Sequence, residues 1–541
     1  MLVPFSGRCV PRLLPCSSHL CLVAVFTLGA IAQAAPPSSF LSYVKDNNLT
    51  MTDFAPPPYA SHLSGAPDQR RRNHLDDFLS PLPQAPAILT PDNDTPSYYV
   101  RRHSWGLLTS PLISPSRDEC AGSRGDLISV AAFGGDPTGV ADSTAAFAMA
   151  MGAALKRWDG SYLAEGIKNL GGAVISLGGG RYSVSAPVVI PRGYGNLHMR
   201  DGTIKASDTF PHDCYVVAAG SDGCTGDDED LVNFNEHLSF SNLMLDGSNV
   251  AYGVLWLHHT IGAVVGTNLF LGFQQRGVYI RLGHEVVVES TWMGQYLFSD
   301  ERKQTSQTAT AIYISANDHV VSNVVIFSAL VGVVDKGAGN TFVGLHSWNG
   351  SGTSFISTGY NTRILGCYPD FNDVILENPY HVTVTNSFFL GGAQIVLRAN
   401  RDEKTARRPP VIRGLIIRTN TFDFSDESII QLHGEFDSVS DTFIGGNIVS
   451  NNMTAVSTSS TRQLHLTNAT EWEFDLSDEL LFATIQRVQY SLELDDGQPL
   501  VRHASRPARG NRVVVETDVP VSGTVTIAVD QSRLTKGGLS A

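Results

Sequence analysis

Carboxylates are among the side chains that most often move protons in catalysis, and two of them stand out here by position. Counted from the segment starting at Gly277, His284 and Glu285 fall at offsets seven and eight; counted from Ala311, Asn317 and Asp318 fall at six and seven. Counted from Gly253, His258 and His259 fall at five and six. Stacked copies of one unit would place Glu285 beside Asp318, with His284 and His259 next to them. Such a pair can divide acid/base work: one carboxyl gives a proton, the other takes one from water, and a neighbouring charge keeps the first protonated. The bland alternative is two turn acids that bond backbone N–H groups. Asp246, in Leu245-Asp246-Gly247, is a third candidate acid near a bend, against the alternative of an ordinary Asp-Gly turn. A partly basic column lies at offset four (Arg281, Ser315, Lys336, Glu377), with Arg398 at offset five. It can clamp carboxylates, arginine in bidentate fashion, or it is a solvated face of mixed charge. No C-x-x-C pair exists, and the acidic run from Gly226 to Asp230 reads as a mobile loop rather than a calcium site. No metal and no cofactor are expected.

These residues become neighbours only if the chain repeats, and from about 230 to 450 it does. Segments starting at Gly253, Gly277, Ala311, Gly332, Asp373, Ala393 and Ser428 each open on a small or polar residue followed by an apolar strand. A second strand follows about ten residues on (Val286 to Val288, Val382 to Val384), then a short piece often carrying Phe (Phe270, Phe327, Phe388). The first steps are 24, 34 and 21 residues, the long one holding an insert with Asp300 to Lys303. Helical periodicity is absent. Three short strands per turn predict a parallel β-helix, because one coil cannot bury its own apolar side and stacked coils can. The handedness of parallel crossovers makes it right-handed. Asn268, Asn323, Asn386 and Asn420 recur near one bend and predict a stacked amide ladder. A helix over 143–157, capped by Asp142 or Ser143, covers the first coil. Alternating strands within 462–532 predict a small antiparallel, sandwich-like β module. The fold class is therefore all-β: a right-handed parallel β-helix over 119–455 and a β module over 456–541.

Residues 1–34 read as a secretory signal: Arg8 and Arg12, an apolar stretch from Leu20 to Ile31, then Ala32-Gln33-Ala34. Residues 35–118 read as a Pro-rich arm or linker. Four cysteines remain after the signal (Cys120, Cys214, Cys224, Cys367); Cys214 and Cys224 are spaced to close a short loop, and Cys120–Cys367 stays open. Sequons stand at Asn48, Asn93, Asn349, Asn452 and Asn468. The 541 residues carry a net charge of -14, which argues against non-specific nucleic-acid binding. No later segment is long and apolar enough for a membrane span. An acidic ligand would need a locally basic groove.

The run Val130-Ala-Ala-Phe-Gly-Gly-Asp-Pro-Thr-Gly-Val-Ala-Asp-Ser-Thr-Ala-Ala-Phe147 resembles the entry motif of the pectate-lyase-like β-helix superfamily. The stretches 178–191, 195–207, 283–285, 315–328, 381–392 and 512–516 are similar, more narrowly, to the plant Quartet-type polygalacturonases. The resemblance runs from roughly 125 to 531. It implies a secreted, monomeric glycosidase that hydrolyses α-1,4-galacturonan, an acidic polysaccharide of the cell wall. Glycoside hydrolysis needs two carboxyls about 5–9.5 Å apart, and coils stacked about 4.8 Å apart supply that range. Glu285 and Asp318 are then the leading acids, with His284 and Asp246 as further catalytic candidates. Arg281, Lys336, His259 and Arg398 become substrate-binding candidates. The chain lacks the Asn-Thr-Asp, Asp-Asp, Gly-His-Gly and Arg-Ile-Lys quartet of glycoside hydrolase family 28. A lyase of the same fold, with Arg281 or Lys336 abstracting a proton, and a non-catalytic pectin-binding β-helix are the alternatives.

Overall fold

The computed structural model describes residues 127–164, 166–226, 234–295, 309–348, 352–402, 406–423, 428–450 and 455–535. The chain divides into two units, Met1–Leu112 and Ile113–Ala541, and every described residue belongs to the second. The signal, the Pro-rich arm, Cys120, the sequons Asn48, Asn93, Asn349 and Asn452, the run 227–230 and the insert Asp300 to Lys303 lie outside the described residues.

Strands, most of them three to nine residues long, recur three to a coil and stack in parallel into three sheets. Sheet A includes Val264–Gly266, Val287–Glu289, Val320–Ser322 and Thr341–Val343, in register from Val264 to Val287, Val320 and Thr341. Sheet B includes Leu269–Leu271, Trp292–Gly294, Val325–Phe327 and His346–Trp348. Sheet C includes Gly253–Ile261, Arg276–His284, Thr310–Asn317 and Val331–Asp335. The chain runs A, B, C and on to the next A, a right-handed parallel β-helix. A three-residue strand sends one apolar side chain inward, as Phe270, Met293 and Ile326 do in sheet B. Each such burial is worth about 1.5–3 kcal/mol, but only a neighbouring coil closes the top and bottom of the side chain.

The corners follow one rule. Before each strand of sheets A and B comes a residue with positive φ, then a residue pointing inward. At the A–B corner the positive-φ residues include Thr267, Ser290, Asn323, Gly344, Gly366, Asn386, Thr419 and Gly446. The inward ones include Asn268, Cys367, Ser387 and Asn420, all buried. Asn268 Oδ1 accepts the Leu243 N–H at 2.9 Å and its Nδ2 donates to Phe240 O at 3.0 Å. Asn420 repeats this with the Ser387 N–H at 2.9 Å and Val384 O at 3.1 Å. The expected amide ladder thus splits: Asn268 and Asn420 belong to it, while Asn323 and Asn386 sit one residue earlier, where left-handed backbone rather than a buried amide selects asparagine.

The helix Thr144–Leu155 buries Ala146, Phe147, Ala150, Met151 and Ala154 against the first coil, with Phe147 edge-on to Tyr182 at 5.6 Å. Asp142 Oδ1 accepts the Thr144 N–H at 3.0 Å, whereas the Ser143 hydroxyl accepts from Asp136 N instead. Among the described residues no helix is long and apolar enough to cross a membrane. Cys214 and Cys224 form a disulfide, and Cys367 is buried and free, its thiol pushed up to about 11 by burial. Beyond the coil, Ser459–Asp475 and Arg512–Asp530 pair antiparallel, flanked by Arg487–Leu494 and His503–Ser505. These four strands form one hydrogen-bonded antiparallel sheet. Both halves of its long strands feed a single core containing Trp472, Val515, Val525 and Ile527.

Candidate active site

The C–A corner obeys the same rule with different chemistry. Its positive-φ residues include Gly262, Glu285, Asp318, Gly339, Asn361, His381, Gly414 and Asp441. Each stands two residues before a sheet A strand whose register is continuous from Val264 to Phe443. Glu285 and Asp318 therefore occupy equivalent positions on consecutive coils, about 4.8 Å apart along the axis. Both are exposed. The exposed ring of His284 contacts the Glu285 carboxylate through Nδ1, and His284 pairs in register with Asn317. Asn317 Oδ1 in turn accepts the Ala338 N–H at 2.8 Å, tying the acidic coils to the next one.

A buried polar ladder holds these bends from inside. His319, 1% exposed, accepts the Val286 N–H on Nδ1 at 3.0 Å, so its proton sits on Nε2. The His319 N–H donates to Asn340 Oδ1 at 2.9 Å. Asn340 Nδ2 donates to Asp335 Oδ1 at 2.8 Å and Thr362 Oγ1 to Asp335 Oδ2 at 2.6 Å. Ser357 Oγ and Gly337 N complete the shell of Asp335 at 3.0 and 3.1 Å. Burial, helped by the charge of His284, pulls the His319 pKa down to about 3. The neutral ring therefore keeps its acceptor nitrogen available to the bend. Sequence reasoning missed His319 and Asp335. The usable signal was that each inward residue immediately follows a corner residue, as His319 follows Asp318.

Register along sheet C aligns the column read from the offsets, with Arg281, Lys336 and Arg398 separated by neutral residues and Glu377. Arg281 lies between His258 and Ser315 in register, Lys336 follows Asp335 beside Ser315, and Arg398 pairs directly with Glu377. All three cations are half-buried. The gap between Lys336 and Glu377, at Thr358, is filled from elsewhere: Arg408, arriving from the segment after Arg398, donates to Gly359 O at 2.7 Å and also to Thr358 O. Its offset matches no repeat, so spacing could not have found it. Upstream, Arg276 lies 4.2 Å from the ring centres of both Tyr279 and Tyr313, and Lys336 lies 5.5 Å from Tyr313. Burial works against the charge of Arg276, but the surrounding phenols of Tyr215, Tyr252, Tyr279 and Tyr313 outweigh it and raise its pKa.

Two candidates stand apart from the acid pair. His259 is half-buried within the sheet C strand one coil earlier, level with Leu282 rather than with Glu285, its ring 4.9 Å from His258 and 5.2 Å from Phe234. Asp246 does not join the acids at all. It ends Asn235–Asp246, in register with Lys205 and Leu271 of sheet B, and so sits at the B–C corner across sheet C. It is 4% exposed, accepts the Ser248 N–H at 2.8 Å and lies 4.0 Å from Lys205 Nζ. That is the geometry of a turn-capping aspartate. The four-residue sequence Leu-Asp-Gly-Ser looked the same from either corner, because a bend signal does not say which bend it is.

No family model matches the chain. The chain is 32% identical over 449 residues to Polygalacturonase QRT3 of Arabidopsis thaliana, covering 80% of this chain and 89% of that one. Among solved structures it is similar to an endo-xylogalacturonan hydrolase from Aspergillus tubingensis, at 10% identity and TM-score 0.41, over 61% of this chain and 95% of that one. It is also similar to a tailspike protein mutant of E. coli bacteriophage HK620 in complex with pentasaccharide, at 11% identity and TM-score 0.44, over 75% of this chain and 93% of that one.

Proposed function

The chain belongs to the polygalacturonase family represented by Polygalacturonase QRT3, and from that premise we propose that it is a secreted glycoside hydrolase of α-1,4-galacturonan. The observation that carries the reading is the pair Glu285 and Asp318, exposed at equivalent positions of consecutive coils. One carboxyl protonates the glycosidic oxygen as the C1–O bond breaks. The other takes a proton from the water whose oxygen bonds to C1, or itself attacks C1 before water does. His284 orients the Glu285 carboxylate. Arg281, Lys336 and Arg398, with Arg408 between them, supply the local positive charge that an acidic chain needs to hold a polymer of carboxylates. Export is supported by the N-terminal pattern of Arg8, Arg12 and Ala32 to Ala34, and by a disulfide, which persists in oxidising compartments.

The test is release of reducing ends from polygalacturonate by the purified protein, followed together with ultraviolet absorbance. Hydrolysis gives new ends without absorbance; a lyase gives both. Glu285→Gln and Asp318→Asn should each remove the activity. Full activity in both variants would discard this pair.

A further inference from the structure

The C–A corner continues past the acids, and its next coils carry a second set of large side chains. Ala338, Tyr360, Tyr380 and Arg413 align through successive bridges, with His284 and Asn317 in the same column upstream. Tyr360 is 45% exposed, Arg413 is exposed and Tyr380 is half-buried. The Arg413 guanidinium lies 5.3 Å from the Tyr380 ring centre. That of Arg408 lies 5.6 Å from Tyr360 and 5.8 Å from Tyr380. Among the described residues no salt bridge joins a carboxylate to Arg408 or Arg413; buried Asp335 attracts Arg408 only through space, and Arg408 Nε is buried without a hydrogen-bond partner. In a chain of net charge -14, two arginines without a salt bridge on a shared aromatic footing are a concentrated positive site. Between them and the acids lies the small coil Ala338-Gly339, which leaves the corner low. From Asp318 to Gly414 the corner rises four coils, about 19 Å.

We propose that Tyr360, Tyr380, Arg408 and Arg413 form a binding subsite for a carboxylated sugar unit of the same acidic polysaccharide chain that lies on Glu285 and Asp318. Sugar rings present apolar C–H faces that pack on the tyrosine rings, and a guanidinium pairs with the uronate carboxylate. The polymer then runs along the helix axis, over the low coil at Gly339. This rests on the uronan reading above and adds where the chain is held away from the acids.

The experiment is calorimetric titration of galacturonan oligomers of graded length, and of the same oligomers with carboxyls reduced to alcohols, into the wild type, Arg413→Gln and Tyr360→Ala. Both changes are at exposed positions, so the fold should survive. Arg413→Gln should weaken long uronan oligomers about tenfold, an ordinary size for one charge-assisted contact, and leave reduced oligomers unchanged. Tyr360→Ala should weaken both kinds. Neither change should slow hydrolysis of oligomers too short to span about 19 Å from Asp318. Long oligomers bound equally by wild type and Arg413→Gln, or short ones whose hydrolysis is slowed as much as that of long ones, overturn the subsite and leave the proposed hydrolase standing. A wild type that binds no uronan of any length overturns both.

Discussion

The A–B and C–A corners of the coil are built on one backbone plan and carry different side chains. Both need a left-handed residue two positions before a strand. The A–B corner answers with Gly, Asn, Ser and Thr, and its hydroxyls and amides bond along the column, as Thr419 Oγ1 does to Asn386 Oδ1 at 2.8 Å. The C–A corner answers with Glu285, Asp318, His381 and Asp441 at φ of 54, 62, 54 and 52° among its glycines and Asn361. Glutamate gains nothing locally from that conformation, which costs roughly 1–2 kcal/mol for a residue other than glycine, asparagine or aspartate, a cost that Thr267 and Thr419 of the A–B corner also bear. The difference teaches that the coil geometry dictates short side chains at a bend, and that long charged ones mark where the bend does something besides turn.

The strongest way to break that comparison is activity. Glu285→Gln or Asp318→Asn should lower turnover on polygalacturonate roughly 100- to 10,000-fold while leaving the urea midpoint in place. Asn323→Gly and Asn386→Gly at the other corner should leave turnover as it is. Equal losses from both corners would mean that the activity reports coil integrity and nothing local. Stability separates the two inner ladders next. Asp335→Ala strands four donors in a buried corner and should cost about 3–5 kcal/mol. Asn420→Ala at the A–B corner leaves one N–H and one carbonyl unmet and should cost about 1–3 kcal/mol by denaturant titration. A larger loss at Asn420 would place the main anchor of the coil at the wrong corner.

The sequence made the coil legible because a period of three short strands with small residues at the bends admits few other folds. It made Glu285 and Asp318 legible as a pair because offset from a repeat start is a physical coordinate once coils stack. Asp246 shows the limit: an Asp-Gly bend is chemically the same at any of three corners, and only the register of Lys205 with Asp246 says which. Arg408 shows another, since an inserted segment returns to the coil at a place that its chain position does not encode. Asp335 was hidden for a third reason. It stands where Ile314 stands one coil earlier, and alternation alone assigns such a position to the apolar core.

His319 offers a finer discriminator, since among the described residues the A–B corner has no histidine in its ladder. Its folded pKa, about 3, lies below the unfolded value of 6.5. The unfolded chain therefore binds a proton that the folded chain refuses. The stability that the neutral ring carries is complete above 6.5 and is lost as pH falls from there toward 3. By pH 5 the loss is about 2 kcal/mol relative to pH 8. His319→Asn puts at this rung the residue found at Asn340, whose amide oxygen can take the same Val286 N–H without titrating. Unfolding free energies from urea titrations at the two pH values should differ less in the variant by that amount. Identical pH dependence would show that the ring does not remain neutral in the bend.

The smallest effect bears most directly on why the corners differ. Glu285→Gly replaces a strained residue with the one already used at Gly262, Gly339 and Gly414. Relief of left-handed strain returns roughly 1–2 kcal/mol, and the extra freedom of glycine in the unfolded chain takes back roughly 0.5–1. The inactive variant should therefore be more stable than the wild type by about 0.5–1 kcal/mol. Asn323→Gly at the A–B corner has no such strain to release, since asparagine tolerates the left-handed region, and should be neutral or slightly destabilising. A gain at Glu285 with none at Asn323 identifies a residue kept against the preference of its own backbone. Equal responses would mean that the backbone finds Glu285 as comfortable as Asn323, and the strain argument for a functional corner would fall.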